Sequence, residues 1–405
     1  MGSLLDRIPS QREMMMNKKR KIRMNVIRGA GVVLLSVVVC CLILESALRI
    51  RQRGKYGVAM VPGWLRMGDP PVGQWHPFLR SVPRPLSRWL EVDGEKKTLV
   101  TINSLGFRSQ EIDRVKPTGV FRVVCVGGSV VYDTRVGLHD SWPMRLQSAL
   151  QKKFPEHTIE IVNAGLPGRT SADTVVNLAL RALSLSPDVV IVQHGVNDQK
   201  PNTYPGFQPD YSHWYRPRDP VRRFYNNLLD KSLLACHLRY RLMFLLNPSM
   251  RDNWRGEDLK RYDTVFPEGL QAYERNMKSI VALSRTHGAK VVIATVGHSL
   301  EENGDWASSM GTPNPLLYYH AGLTMKGLKH AFAEYNRVNR KVAKEMECVL
   351  VDVEGLLAPG KKNFQDDVHY TVNGARRVAD VFVAKILWGE WMGERDVKIV
   401  EDVER

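Results

Sequence analysis

The chain has 405 residues, 25% of them charged and 43% apolar, which is the make-up of a folded globular protein and excludes a wholly disordered or fibrous one. The net charge of +16 is uneven: residues 1–55 carry 12 Lys/Arg against 3 Asp/Glu, so more than half of the excess lies in that first segment. Basic residues beside an apolar run point to anionic lipid headgroups, and with no zinc-finger or RRM-like signature nucleic acid is not an expected partner.

In chain order, residues 1–25 read as a basic cytoplasmic tail and 26–48 as a transmembrane anchor. Residues 29–44 contain no charge, and only Glu45 interrupts the extension to Leu48. About 20 residues rising 1.5 Å each cross a hydrocarbon core of about 30 Å. Lys18, Lys19, Arg20, Lys21, Arg23 and Arg28 precede the run; Arg49, Arg51, Arg53 and Lys55 follow it. With basic flanks on both sides, the charge bias toward a cytoplasmic N-terminus is modest. The long basic lead and the lack of a small-x-small site weigh against a cleaved signal peptide. The expected topology is a single-pass membrane protein with the bulk of the chain outside the cytoplasm, periplasmic or extracellular.

Residues 49–118, rich in Pro, Trp and Arg, read as a linker and accessory segment with short extended pieces, one of them a strand entering a Gly turn near 101–108. From residue 119 the pattern alternates. Apolar runs at 121–126, 158–162, 188–193, 290–296 and 349–353 are strand-like; 142–154, 171–183, 269–287, 327–347 and 373–387 have helical spacing. This alternation predicts an α/β domain over 119–390: a flavodoxin-like, doubly wound, five-stranded parallel sheet. Residues 200–262 interrupt it as an insertion or lid with an apolar helical stretch near 228–246, and 391–405 form a tail. Of the five cysteines, Cys40 and Cys41 lie in the anchor and Cys125 and Cys348 in strand-like runs; with Cys236 they show no metal-ligand spacing and argue against a disulfide framework.

In such sheets ligands bind beyond the carboxyl ends of the strands. Three loops follow strands there: Gly127-Gly128-Ser129, then 163–170 with Asn163, Gly165 and Gly168, then His194-Gly195-Val196-Asn197-Asp198. After the last strand comes Asp366-Asp367-Val368-His369. Each piece alone is an ordinary turn. The ordered set resembles the SGNH/GDSL hydrolase family over about residues 120–385, including the phrase from His369 to Gly374. The stretch Asn103–Arg108 is similar to one that precedes the first block in many membrane-anchored bacterial members.

The resemblance implies a serine esterase of the SGNH fold. Ser129 would attack an ester carbonyl, His369 would take its proton and later pass it to the leaving alcohol, and Asp366 would hold the imidazole. The adjacent Asp367 is the rival for that last role; the family's spacing favours Asp366. The oxyanion hole is assigned to the Ser129 N–H, the Gly168 N–H and the Asn197 amide, with Gly165 as runner-up for the glycine. His194, His298 and Asp198 are candidate substrate-binding residues. A hydrogen-bonded structural role is equally open for His194, and loop bracing is favoured for Asp198 and Asn163. Arg216, Arg218, Arg222 and Arg223 read as a solvated face, with an anionic substrate as the sharper alternative. No metal or cofactor is expected. The family's usual Gly-Asp-Ser is Gly-Gly-Ser here, and Asp133 stands where many relatives have Gly. The expected substrates are O-acyl groups on carbohydrate, envelope glycan or lipid. An O-acyltransferase acting on an envelope polysaccharide would use the same acyl-enzyme, and a non-catalytic binding module would keep only the fold.

Overall fold

The computed structural model describes residues 11–56, 73–92, 96–133, 135–204, 206–214, 232, 234–235, 238, 260–300, 320, 322–386 and 388–392. Cys236, the arginines at 216–223, most of the 200–262 insertion and the tail beyond 392 lie outside the described residues.

The chain opens with a long helix, α1 (Gln11–Tyr56), whose segment Arg20–Arg51 is long and apolar enough to cross a membrane, with a mean hydropathy of 2.6 over its apolar 18-residue window. Two antiparallel hairpins follow: β1 (Gly73–His76) with β2 (Arg80–Pro83), and β3 (Leu86–Val92) with β4 (Lys96–Ile102). The main sheet contains β5 (Val120–Gly127), β6 (Thr158–Asn163), β7 (Val189–Gln193), β8 (Lys290–Ala294) and β9 (Val349–Val351). All pairs are parallel, in the order β6-β5-β7-β8-β9. That is the expected flavodoxin-like topology: the strand order reverses once, between β6 and β7. Every residue of β7 is buried, as is all of β5 after Val120, because helices cover both faces.

The helices are α2 (Ser129–Tyr132), α3 (Trp142–Lys153), α4 (Ser171–Asn177), α5 (Val196–Thr203), α6 (Pro267–Thr286), α7 (Met325–Glu345), α8 (Val353–Leu356), α9 (Val372–Lys385) and α10 (Trp388–Met392). Right-handed crossovers and the single reversal put α3 and α9 together on one face and α4, α6 and α7 on the other. Helix α4 starts in a capping box, with Thr170 and Asp173 each bonding the other's backbone, and Thr324 and Thr371 cap α7 and α9. The periodic stretch expected as a helix over 171–183 is α-helical only to Asn177; it widens into a π turn at 178–182. Helix α5 departs from the loop expected at 194–198; its eight residues are mostly polar and carry Pro201 inside, so they show no amphipathic signal.

The region expected as a linker is part of the domain from residue 73 onward. Leu79 and Val82 pack with Leu166, and Val100 and Ile102 pack with Tyr132. Asn103, Arg108 and Ser109 are buried. At the opposite, amino end of the sheet, Arg122 is 0% exposed and binds Glu160, the Leu185 carbonyl and the Asp113 carbonyl.

Trp142 joins the sheet's carboxyl edge to its helical cover. It is fully buried, stacks on Phe382 at 4.8 Å and donates its indole N–H to the Val130 carbonyl. Trp142→Ala should therefore lower unfolding free energy by about 3–5 kcal/mol. Urea denaturation of the detergent-solubilised protein checks this, and a loss below about 1 kcal/mol would contradict the packing role assigned to Trp142.

Candidate active site

The first loop turns where β5 ends. Its first glycine is required by close approach to backbone, and its second lies against a side chain. A Cβ on Gly127 would lie 2.2 Å from the Gln193 carbonyl oxygen, and one on Gly128 would lie 2.4 Å from the Asn197 side-chain nitrogen. Ser129 opens the short α2 and is half-buried. Gly128, Ser129, Gln193, His194, Asn197 and Val296 line one small cleft at the carboxyl edge. Three chain-distant segments thus meet there: the first loop, the β7–α5 loop and the end of β8.

The second loop reaches the same place from the side. Asn197 donates from its amide to the Arg169 carbonyl at 2.8 Å, beside Gly168, whose φ of +68° is left-handed. Arg169 reaches back to the Ser81 hydroxyl at 2.8 Å, so the β1–β2 hairpin braces this loop. Asn163 donates to the Val131 carbonyl and accepts from the Gly165 N–H, fixing the second loop to the first.

The fourth segment holds His369. Its Nδ1 lies 2.7 Å from the Asp366 carboxylate, which also accepts the His369 backbone N–H. Arg135 approaches the same carboxylate at 3.3 Å. Asp367 instead faces His320, with 3.5 Å between Oδ2 and Nε2. The geometry therefore gives the imidazole to Asp366 rather than to its neighbour. His369 Nε2 is buried and makes no hydrogen bond among the described residues, so it does not hydrogen-bond the Ser129 hydroxyl in this arrangement. Tyr370, next in sequence, shares a hydrogen bond with Gln193 at 3.2 Å, and Gln365 reaches the Arg135 carbonyl at 3.4 Å. These contacts hold the His369 segment against the chain that follows α2 and against a residue that lines the cleft.

Charge follows geometry. Burial alone would raise the Asp366 pKa, but His369 and Arg135 bring it well below the ordinary value. Burial alone would lower the His369 pKa; Asp366 and Asp367 more than offset it, so the imidazole titrates above the ordinary 6.5. Asp133 lies near this pair. Burial pushes its carboxyl up to about 7, against the pull of Arg108, the Trp142 N–H and His369.

The remaining candidates are engaged elsewhere. Asp198 is 0% exposed and accepts from the Ser171 N–H, the Ser171 hydroxyl and the Tyr211 hydroxyl. His194 lies 3.1 Å from Asp198 and 3.1 Å from the Thr174 hydroxyl, with only 2% exposure. Its place in the cleft wall is shared with these inward bonds. His298 is a quarter exposed, lies 3.4 Å from Glu354 and packs on Phe332 at 4.6 Å.

Arg108 is the functional-rim residue that reasoning from chemistry did not single out. It is wholly buried and donates to the carbonyls of Tyr132, Asp133 and Val136, immediately after the Ser129 helix. Its cation also lies over the Tyr132 ring, 5.0 Å from the centroid. The upstream turn aims it: Asn103 accepts from the N–H groups of Leu105 and Phe107 and donates to the Gln110 carbonyl. The signal in the sequence was the Asn103–Arg108 phrase, whose role only the fold reveals.

This architecture agrees with the comparison to known families. The chain belongs to the GDSL-like lipase/acylhydrolase family, whose profile it matches over residues 125–377. It is thus a hydrolase of the esterase and acylhydrolase type, and the family implies an ester substrate. No curated protein matches the sequence. Among solved structures, it is similar to a variant of Axe2, an acetyl-xylooligosaccharide esterase from Geobacillus stearothermophilus. The identity is 17%, the coverage 70% of this chain and 100% of that one, and the TM-score 0.41. It is also similar to LAE5, an alpha/beta hydrolase enzyme from the metagenome of Lake Arreo, Spain, at 18% identity, 67% and 95% coverage and a TM-score of 0.39. A putative lipolytic protein of the G-D-S-L family from Desulfitobacterium hafniense matches at 14% identity, 64% and 98% coverage and a TM-score of 0.36.

Two outcomes follow from the site's physics. In Asp366→Asn the His369 imidazolium loses its nearest negative charge, so its titration should move to lower pH; NMR of the labelled imidazole reads this directly, and an unmoved midpoint would remove Asp366 as its partner. Arg108→Met leaves three buried carbonyls without their donor and should cost about 3–5 kcal/mol in chemical denaturation.

Proposed function

We propose that the protein is a membrane-anchored serine esterase that cleaves carboxylic esters through an acyl-enzyme on Ser129. The observation that carries this reading is the His369 imidazole: its Nδ1 is held by Asp366, its Nε2 is buried and makes no hydrogen bond among the described residues, and its segment is tied through Gln365 to the Arg135 carbonyl, a short way beyond Ser129 in the chain. An imidazole fixed in this way has its free nitrogen available to a hydroxyl, whose nucleophilicity at neutral pH depends on such a base.

In the proposed cycle, the Ser129 oxygen bonds to the ester carbonyl carbon while its proton passes to His369 Nε2. The oxyanion is met by the N–H groups of Ser129 and Gly168 and by the Asn197 amide. Asn197 has two amide hydrogens; one serves the Arg169 carbonyl, which sets the direction of the other. Collapse breaks the bond to the alcohol, which leaves with the proton from His369. Water then repeats the sequence on the acyl-enzyme and releases the acid. Asp366 stays ionised throughout and stabilises the imidazolium. Candidate substrates are O-acylated carbohydrates, envelope glycans and lipids. The N-terminus is assigned to the cytoplasm and the catalytic domain to the other side of the membrane, with α1 as the anchor.

Ser129→Ala should abolish hydrolysis of p-nitrophenyl acetate and labelling by a fluorophosphonate probe while the protein keeps its circular dichroism and melting behaviour. Turnover that persists in a folded Ser129→Ala protein would overturn the nucleophile assignment. Since His369 must be neutral to accept the proton, kcat/KM should fall as pH drops through its raised pKa, and Asp366→Asn should shift that acid limb downward with a lower maximum.

A further inference from the structure

One acidic residue sits at the edge of the apolar part of α1, and it is not left to the lipid. Around Glu45 the helix surface is bare: Leu42, Ile43 and Leu44 are 62%, 63% and 53% exposed. The Glu45 side chain is only 16% exposed. Its carboxylate accepts from the Ser232 hydroxyl at 2.9 Å and the Leu234 backbone N–H at 2.8 Å, and Arg49 completes the set at 2.8 Å. Ser232 also accepts from the Ala235 N–H, so it caps the turn that begins there.

This contact lies 187 residues along the chain from Glu45, inside the insertion that interrupts the α/β pattern. The beginning of the same insertion is tied to the catalytic rim. Tyr211 is 1% exposed and donates its hydroxyl to Asp198, one residue from Asn197. The described residues of the insertion thus touch the site at Tyr211 and the anchor at Ser232 and Leu234. Its composition suits the place it reaches: from Ser232 to Leu246 the sequence is mostly apolar, with Arg239 and Arg241 and no acid, and Leu238 is 60% exposed. Apolar and cationic residues together, without acids, favour the boundary between acyl chains and anionic headgroups.

We propose that Glu45 clamps the insertion to the membrane anchor, so that the face bearing Leu238 contacts the outer leaflet of the bilayer beside α1. An ionised carboxylate at the edge of the hydrocarbon is costly unless partnered, and here the partners come from the insertion, so anchoring and docking are one interaction. The consequence for function is orientation: the catalytic rim is held at the lipid surface, which favours esters presented there, on lipids or lipid-linked glycans. The inference rests on the reading of α1 as a transmembrane anchor.

The test uses the full chain with its five native cysteines replaced by alanine or serine and Leu238→Cys added and labelled with bimane. It is reconstituted in vesicles of phosphatidylcholine and phosphatidylglycerol, with and without lipids carrying a shallow doxyl quencher. The quencher should lower the emission about twofold, as for a residue at the acyl–headgroup boundary, and Glu45→Ala should remove most of that quenching while the protein stays in the carbonate-washed membrane. Retention in the membrane without quenching, or quenching indifferent to Glu45→Ala, would sink the clamp alone. Release by carbonate would remove the anchor and the clamp together.

Discussion

The close approach of two strand ends governs the site. Where β5 and β7 run out side by side, the backbone of the first loop passes so near the Gln193 carbonyl that residue 127 has no room for a Cβ, and residue 128 lies against the Asn197 amide. Parallel pairing of β5 with β7 extends through Gly127 and Gln193, so the ladder itself delivers the loop to this position. Once the backbone is there, Ser129 must begin a new helix, and Asn197 must turn toward Arg169. The oxyanion donors assigned above are consequences of that contact. Donors held in place before any substrate arrives are the condition under which electrostatic stabilisation costs no reorganisation.

Such a tight turn needs support from outside, and it comes from a segment that precedes the α/β unit in sequence. Arg108 gathers the carbonyls that α2 leaves unpaired at its end, while Asn163 takes the Val131 carbonyl from the other side. A buried guanidinium is expensive to desolvate, so using one here makes sense only where several carbonyls converge and must not move. Burial accordingly lowers the Arg108 pKa from its ordinary value, although the group remains a cation. The same logic appears at the amino end of the sheet, where the Arg122 guanidinium pairs with Glu160 and its backbone N–H donates to Asp188, tying the strand starts rather than the site.

The sheet, its five strands and its main helices were legible because periodicity there is strong and burial enforces it; the bounds of α3, α6, α7 and α9 depart from the periodic stretches by a few residues or fewer. Ser129, Asn197, Asp366 and His369 were legible as motifs in sequence order. Two kinds of information were not. Polar segments such as α5 carry no amphipathic signal, and their helicity depends on tertiary bonds such as Tyr335 to the Asp198 carbonyl. Long-range bracing is also silent: nothing near Arg108 says that it meets Tyr132, and nothing near Asp366 says that Asp367 turns away to His320. The region before residue 119 looked like a linker because short hairpins and aperiodic turns have no repeat to detect, although Leu79, Val100 and Arg108 are buried as deeply as the sheet.

Two departures from the family's usual motif make sense together. At position 128 the relatives' Asp is replaced by Gly, in the place where the Asn197 amide packs closely on the backbone. Five residues later Asp133 occupies a left-handed position, φ +60°, where a glycine would be unstrained. A non-glycine residue there costs roughly 1–2 kcal/mol, so its side chain must return something. It does: the carboxyl group accepts the Trp142 N–H at 3.0 Å, which fixes the start of α3. The carboxyl group missing from the turn before the serine is thus matched by one beyond it, in a position that organises the loop's far end. On this reading the first loop of this chain is a different solution to the same bracing problem, with the acid moved from the entrance of the turn to its exit.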